Sequence, residues 1–445
     1  MSANRAGGWG VWGMGGLPRI ARGEGSYLYD TAGRRYLDGS GGPAAFSIGH
    51  GNREVNAAIA AQLDKVACGY RYLFTSEPLE ELTRMLLRLC GADFGHIVYS
   101  GSGSEAVESA LKVALQYWDA RGAPKKRRFI ARERSYHGNT LGALSVSGFL
   151  ERRRPFEGSL LEVSFVSAAN AYRPLRGLTG AALTAALAEE LDARIREMGA
   201  QNVAAFIFEP VVGAAGGAVP APPGYAQAVR AVCERHEVLA IADEVMSGAG
   251  RCGTWRALEH DGTVPDIMAI GKGLAGGYIP LAATLLRREI GETIVSQQGA
   301  ILTGHTYSGH TTACAAGLAV QRIIERDSLV ARVGVRGEVL RRELRDALQR
   351  FEEVGDVRGR GYLNGIEFVR DRTTREPFPA QRALSQSVAR RAFEAGLIVY
   401  PCAGNVGGVS GDTIIVAPPF NASEAELSEL IEKLTGAVER TLAAG

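Results

Sequence analysis

Residues 239–274 read LAIADEVMSGAGRCGTWRALEHDGTVPDIMAIGKGL. Two short apolar runs, 239–242 and 267–270, frame the segment, and each is closed by an ionisable group at its far end. Runs this short and this apolar predict strands buried on both faces, as in a parallel sheet covered by helices. Asp243 ends the first run, and ligands in open α/β sheets gather at the carboxyl ends of strands. A carboxylate there suits a protonated heterocyclic nitrogen; the plainer alternative is a carboxylate that caps the next segment. Lys272 stands between Gly271 and Gly273 just past the second run, ahead of Leu-Ala-Gly-Gly-Tyr-Ile-Pro, which is no solvated face. Desolvation lowers a lysine's pKa, and a neutral amine is what imine chemistry requires. A partly buried structural lysine is the competing explanation.

Outward from this segment the same alternation continues. Strands are expected at 97–99, 129–131, 204–208 and 281–285, and helices at 52–65, 79–90 and 104–118. On the last of these helices Val107, Ala110, Leu111, Ala114, Leu115 and Trp118 share one face. Residues 1–25 read as an irregular arm and 26–38 as a hairpin turning at Asp30-Thr31-Ala32-Gly33; the glycine-rich run 39–51 reads as a loop. Beyond residue 326 the pattern changes to arginine-rich helix (333–351), strands (362–369 and 413–417) and a terminal helix (424–441). The expected division is 1–51 as an N-terminal arm and part of a small domain, 52–325 as a large domain and 326–445 as a C-terminal small α+β domain.

Two further motifs carry chemistry. Ser100-Gly101-Ser102-Gly103-Ser104-Glu105-Ala106 joins a strand to a helix, where free amides and the helix dipole favour an anion such as a phosphate. No Gly-Lys-Ser/Thr follows, so it is not a Walker loop, and Glu105-Ala106 replaces the later glycine of a dinucleotide fingerprint. Ser135-Tyr136-His137-Gly138 follows the strand at 129–131, and an aromatic ring at such a strand end can stack on a planar cofactor. Each feature alone has a bland reading: a capped glycine turn, or a core tyrosine. Together, in the order phosphate cup, stacking aromatic, carboxylate and lysine, they name a planar, phosphorylated, aldehyde-bearing pyridine. Lys272 follows Asp243 by 29 positions.

The 445 residues, 46% hydrophobic and 22% charged, suit a soluble protein of two or three domains. A net charge of +2 gives no electrostatic reason to expect nucleic acid or an acidic membrane. Only six of the 50 basic residues are lysines, so a lysine in apolar surroundings stands out. The six cysteines show no metal spacing, no metal is expected, and buried reduced thiols in the cytoplasm are the reading. No apolar run is long enough for a signal core or a membrane span.

The motifs resemble the class III (ω-type) aminotransferases over nearly the whole chain: Ser102–Ala106, Tyr136-His137-Gly138, Glu209-Pro210, Asp243-Glu244-Val245, residues 271–281 and His305-Thr306-Tyr307-Ser308-Gly309-His310. The resemblance implies an α/β fold of the fold-type I PLP-transferase kind, with a large domain built on a mostly parallel seven-stranded sheet and a smaller α+β domain. It implies pyridoxal 5′-phosphate (PLP) as cofactor, held as a Schiff base on the catalytic Lys272. Gly103 and Ser104 would hold the phosphate, Tyr136 and Val245 the two ring faces, and Asp243 the ring nitrogen, with Glu209 nearby. Thr306 would reach the phosphate of a neighbouring subunit, making a homodimer with shared active sites. The implied reaction moves an amino group from a small-molecule amine donor to a carbonyl acceptor by a ping-pong mechanism.

Two departures bear on substrate. Many relatives carry, near Gly-Leu-Ile-Val, an arginine that grips an α-carboxylate, and here Gly396-Leu397-Ile398-Val399 leads into Tyr400. Either Tyr400 donates one hydrogen bond or another arginine takes the carboxylate. Ala44 stands where amine-selective relatives often have tryptophan, which implies a roomier pocket. Racemisation or epimerisation, amino migration and decarboxylation are the alternatives on the same fold. A non-catalytic scaffold would not need the whole constellation, and a nicotinamide oxidoreductase has only the Gly-Ser-Gly turn in its favour.

Overall fold

The computed structural model describes residues 17–444. Its main sheet has seven strands in the spatial order Phe94–Ser100, Ala282–Arg287, Ile267–Ile270, Leu239–Asp243, Val203–Phe208, Arg128–Arg132, Val163–Val166. Ala282–Arg287 runs antiparallel to both its neighbours, and the other six strands point one way. The expected α/β fold with a mostly parallel sheet is therefore present. The reversal at Ala282–Arg287 follows from the short connection after Ile270, too short for a crossover helix.

The central strands are buried because helices cover both faces. Ala205, Ile207, Leu239 and Ile241 pack in a cluster with the helix Gly103–Ala120. Phe206, Phe208, Ala240 and Ala242 point the other way, against Gly180–Met198 and Tyr225–Arg235. This is the two-residue period of a strand read out as two cores. In register, Phe208 lies opposite Ala242, and Asp243 opposite Ala269. The residues just past these strand ends, Glu209, Asp243 and Lys272, therefore emerge at one edge of the sheet.

A second, antiparallel sheet runs Val354–Arg360, Leu363–Phe368, Ser410–Val416, Tyr400–Val406. The helices Leu329–Leu348, Leu384–Glu394 and Glu424–Leu442 share its core. Glu424–Leu442 begins with a reciprocal cap between Ser423 and Glu426. Leu397–Ile398 pairs with Arg35–Asp38, which attaches the start of the chain to its last third. No helix among the described residues is long and apolar enough to cross a membrane.

Several local expectations need correction. Part of the expected arm, Ile20–Glu24, is a strand paired with Tyr27–Asp30, because its backbone groups find partners in the hairpin; residues 1–16 lie outside those described. The helix Gly180–Met198 and the strands Val163–Val166, Val354–Arg360 and Tyr400–Val406 were not expected. Cys68 is exposed, whereas the other five cysteines are buried as expected, and all six are free.

One buried ion cluster ties the second sheet to the first domain. Glu367, fully buried, pairs at 2.6 Å with both Arg173 and Arg358. Arg358 also donates to the Gly216 and Gly217 carbonyls, at 2.8 and 3.0 Å. Removing the shared acid leaves Arg173 without its counter-charge and Arg358 with Asp356 alone, at 3.0 Å, which costs about 3–5 kcal/mol. Glu367→Ala is expected to lower the denaturation midpoint accordingly, and a loss under ~1 kcal/mol in chemical denaturation would contradict this account.

Candidate active site

The strand ends and their following turns converge on one cavity of about 280 Å³. Gly103, Ser104, Tyr136, Glu209, Asp243, Val245, Lys272 and Tyr400 all line it. Thr306 does not; it is exposed in the turn ahead of the helix Thr311–Arg326. Ala44 does not either. Pro43 lines the wall, and Ala44 is buried in the adjoining cluster with Val211, Ala218 and Met246.

The expected anion cup lies at the start of Gly103–Ala120. Ser102 caps the helix by accepting from the Glu105 amide at 3.2 Å, and the Glu105 carboxylate returns to the Gly101 amide at 2.7 Å. The Gly103 and Ser104 amides have no acceptor within the helix and sit at its positive end. A side chain at Gly103 is excluded because its Cβ would lie 2.7 Å from Val245. Gly138 is required twice over: its φ is +146°, and a Cβ there would lie 2.6 Å from Ser104 Oγ.

Adjacent acids at the end of Leu239–Asp243 divide two tasks. Glu244 turns inward and accepts from the Leu258 amide at 3.1 Å and from the Ala257 amide, capping that turn. Burial pushes its carboxyl up to about 7. Asp243 faces the cavity. Its Oδ2 lies 2.8 Å from His137 Nδ1, and its Oδ1 accepts from the Val245 amide at 3.0 Å. Both oxygens are held, so the carboxylate cannot rotate. His137 was not singled out from sequence; its place beside Tyr136 was the available signal. Its Nε2 is buried without a hydrogen-bond partner among the described residues.

Glu209 accepts from the Tyr136 and Gly213 amides, each at 2.9 Å, and burial pushes its carboxyl up. Tyr136 meets Phe149 edge to face, with ring centroids 6.0 Å apart. Lys272 has φ +44°, a left-handed conformation rare for a lysine, in the turn right after Ile267–Ile270. Burial pushes its pKa down, while the charges of Asp243 and Glu209 oppose that shift. The arrangement joins an anion cup, an aromatic wall, a fixed carboxylate and a desolvated amine. Phe149, Arg152, Gly213, Ala214 and Met246 also line it and were not found from sequence. They belong to turns and a charged helix end, which carry no periodic signature.

The comparisons with known proteins agree with this geometry. The family model described as aminotransferase class-III matches residues 16–438. An uncharacterized aminotransferase of Bacillus subtilis, YodT, is 44% identical over 428 residues, covering 96% of each chain. An adenosylmethionine-8-amino-7-oxononanoate aminotransferase of Geobacter sulfurreducens is 36% identical, covering 93% of this chain and 90% of the relative. Among solved structures, an amine transaminase from an uncultivated Pseudomonas species superposes with a TM-score of 0.91 at 36% identity, covering 98% of each chain. An (S)-enantioselective omega-transaminase from Thermomicrobium roseum gives 0.90 at 35% identity, covering 96% of this chain and 93% of that one. With its fold-type I architecture and near-complete match, the chain belongs to the class III aminotransferases, enzymes that move an amino group from a donor to a carbonyl acceptor.

Proposed function

We propose that this aminotransferase uses PLP held on Lys272 and works as a cytosolic homodimer on small-molecule amines and carbonyl compounds. The observation that carries this reading is the convergence of Gly103, Ser104, Tyr136, Glu209, Asp243, Val245 and Lys272 on one cavity. The donor set fits the cofactor. Two helix-end amides suit a phosphate, a fixed carboxylate suits a pyridinium, and an amine in the same space suits an aldehyde. When bound, the cofactor supplies an aldehyde that condenses with amines and a ring that withdraws electrons from the bonds beside the nitrogen.

The chain's own residues do the rest. The Gly103 and Ser104 amides would bind the phosphate. Tyr136 and Val245 would confine the ring between an aromatic and an aliphatic face. Asp243, held by His137 and the Val245 amide, would set its carboxylate against the ring nitrogen. Lys272 Nζ would hold the cofactor and, as a neutral amine, would take up and release a proton at the substrate carbon. Glu209 stays bound to two backbone amides and shapes the wall beside Tyr136. Domain boundaries near residues 51 and 325 accompany this reading, since the seven-stranded sheet falls between them.

Support for the homodimer comes from exposed apolar side chains at Tyr70, Tyr72, Leu73, Phe74, Leu302 and Tyr307, which flank Thr306 in the same region of the surface. The two stretches are neighbours, since Arg71 crowds Gly304. Analytical ultracentrifugation at micromolar concentration is expected to give twice the chain mass; a monomer would remove Thr306 from the site.

Lys272→Ala is expected to lose the absorbance band of lysine-bound cofactor and to lower turnover more than about a thousandfold. Retention of both would overturn the assignment of Lys272.

The electrostatics of the amine give a pH test. Only neutral Lys272 attacks an aldehyde, so the rate at which apoenzyme takes up PLP should rise with pH and level off, with a midpoint below the 10.5 of an ordinary lysine. Asp243→Asn removes a charge that raises this pKa, so its midpoint should fall further. A midpoint that rises in the variant, in stopped-flow absorbance, would contradict the assigned pairing.

A further inference from the structure

The helix Thr311–Arg326 is buried along most of its length, with Ala313, Leu318, Val320, Ile323 and Ile324 packed away from water. Gln321 sits among them and is 1% exposed. A glutamine carries two N–H donors and one carbonyl oxygen, and burying them unpaired is costly, so their partners say what the side chain is for. Its Oε1 accepts from Trp255 Nε1 at 3.1 Å. An indole N–H can only donate, which fixes the orientation of the amide. Nε2 then donates to the Leu274 carbonyl at 2.9 Å and to the Gly273 carbonyl at 3.3 Å. Both ends of the amide are engaged.

Those two carbonyls belong to the turn that carries Lys272. The turn Lys272–Leu274 is closed by the Leu274 amide, which donates to the Gly271 carbonyl at 2.9 Å. Lys272, at its start, has φ +44°. A lysine does not favour that conformation by itself, so it persists only where the surroundings hold the peptide groups next to it. Among the described residues the side-chain hydrogen bonds to this turn come from Gln321 and from Ser47, whose hydroxyl donates to the Gly273 carbonyl at 3.3 Å. Leu274 and Trp255 are buried in one apolar cluster with Leu82 and Leu281, and hydrogen bonds in such dry surroundings are stronger than in water. Gln321 does not line the cavity, so its influence there passes through Lys272.

We propose that Gln321, oriented by Trp255, is a positioning residue for the reaction: by holding the Gly273 and Leu274 carbonyls it keeps Lys272 in its left-handed conformation, with Nζ placed to meet the cofactor aldehyde. In that step the amine nitrogen bonds to the aldehyde carbon, the aldehyde oxygen leaves as water, and the two hydrogens of that water come from the amine. The proposal rests on the PLP reading above and deepens it.

The test compares apoenzyme of wild type, Gln321→Met and Trp255→Phe. Methionine has a similar volume and shape but makes none of the three hydrogen bonds. Two quantities are read. One is the rate of imine formation at saturating PLP, by stopped-flow absorbance. The other is the affinity, by calorimetry, for 4-deoxypyridoxine 5′-phosphate, which has the ring and the phosphate but no aldehyde. Gln321→Met is expected to slow imine formation about 10- to 100-fold, because a small misplacement of a reacting group is enough for that loss, and to bind the aldehyde-free analogue as wild type does. Trp255→Phe leaves the amide unoriented and should fall between the two. Wild-type imine formation in Gln321→Met would overturn the proposal. So would a parallel loss of imine formation and analogue binding, since a merely structural role would move both. If Gln321→Met does not fold, Trp255→Phe decides by the same criteria. Wild type that binds the analogue but forms no imine with PLP would instead sink the cofactor reading, and the proposal with it.

Discussion

Two carboxylates and one amine share a single enclosed space, and the balance among Glu209, Asp243 and Lys272 is the constraint on which the site depends. Burial disfavours the charged forms of Lys272 and Glu209, whereas the nearby acids favour an ionised lysine. If attraction won outright, the amine would stay protonated and inert toward aldehydes. Both acids are held by other partners: Glu209 accepts from two backbone amides, and Asp243 is bonded to His137 and the Val245 amide. Lys272 is left with burial as the dominant influence and its pKa lowered.

That balance requires close packing, and the backbone is shaped to supply it. Lys272 sits in a left-handed conformation that costs a non-glycine residue about 1–3 kcal/mol, held there by the turn between two buried strands. Gly103 lets Val245 approach the helix end, and Gly138 lets the Tyr136 turn press on Ser104. The Gly103 turn, Tyr136, Val245 and the Asp243 carboxylate are thereby placed by close backbone contacts, and sheet register fixes the height of Asp243.

This explains which parts of the site could be read from sequence. Asp243 and Lys272 were legible because each closes an apolar run, and a run too short for a helix and apolar throughout has few other readings. Gly103 and Ser104 were legible because a strand, a glycine turn and a strong helix occur in succession. The adjacent acids were legible only as a pair: both a ligand and a cap were possible, and the structure assigns Asp243 to the cavity and Glu244 to the cap. Position in a loop does not fix direction: the turn at positive φ puts Pro43 on the wall and buries Ala44. Arg152 was invisible for a different reason. A run of charged residues on a short helix reads as a solvated face, and only tertiary partners for Glu151 and Arg153 turn the middle residue inward.

The substrate side of the cavity is a seam between two sheets, and arginines stitch that seam. Arg134 reaches the Gly404 carbonyl, Arg251 the Pro418 carbonyl at 2.6 Å, and Arg358 the Gly216 and Gly217 carbonyls. A guanidinium suits this use because its rigid fork can satisfy several carbonyls at once and it stays charged when buried. These links fix Tyr400, on one strand of the second sheet, relative to Gly213 and Ala214 in the loop that follows Val203–Phe208. The cofactor half of the site is thus built within the seven-stranded sheet, where register allows little variation. The half that holds Tyr400 is built where the second sheet meets the first, and its side chains come from several separate elements. The lysine and its two acids on one side, and Tyr400 on the other, are thus held by separable parts of the fold.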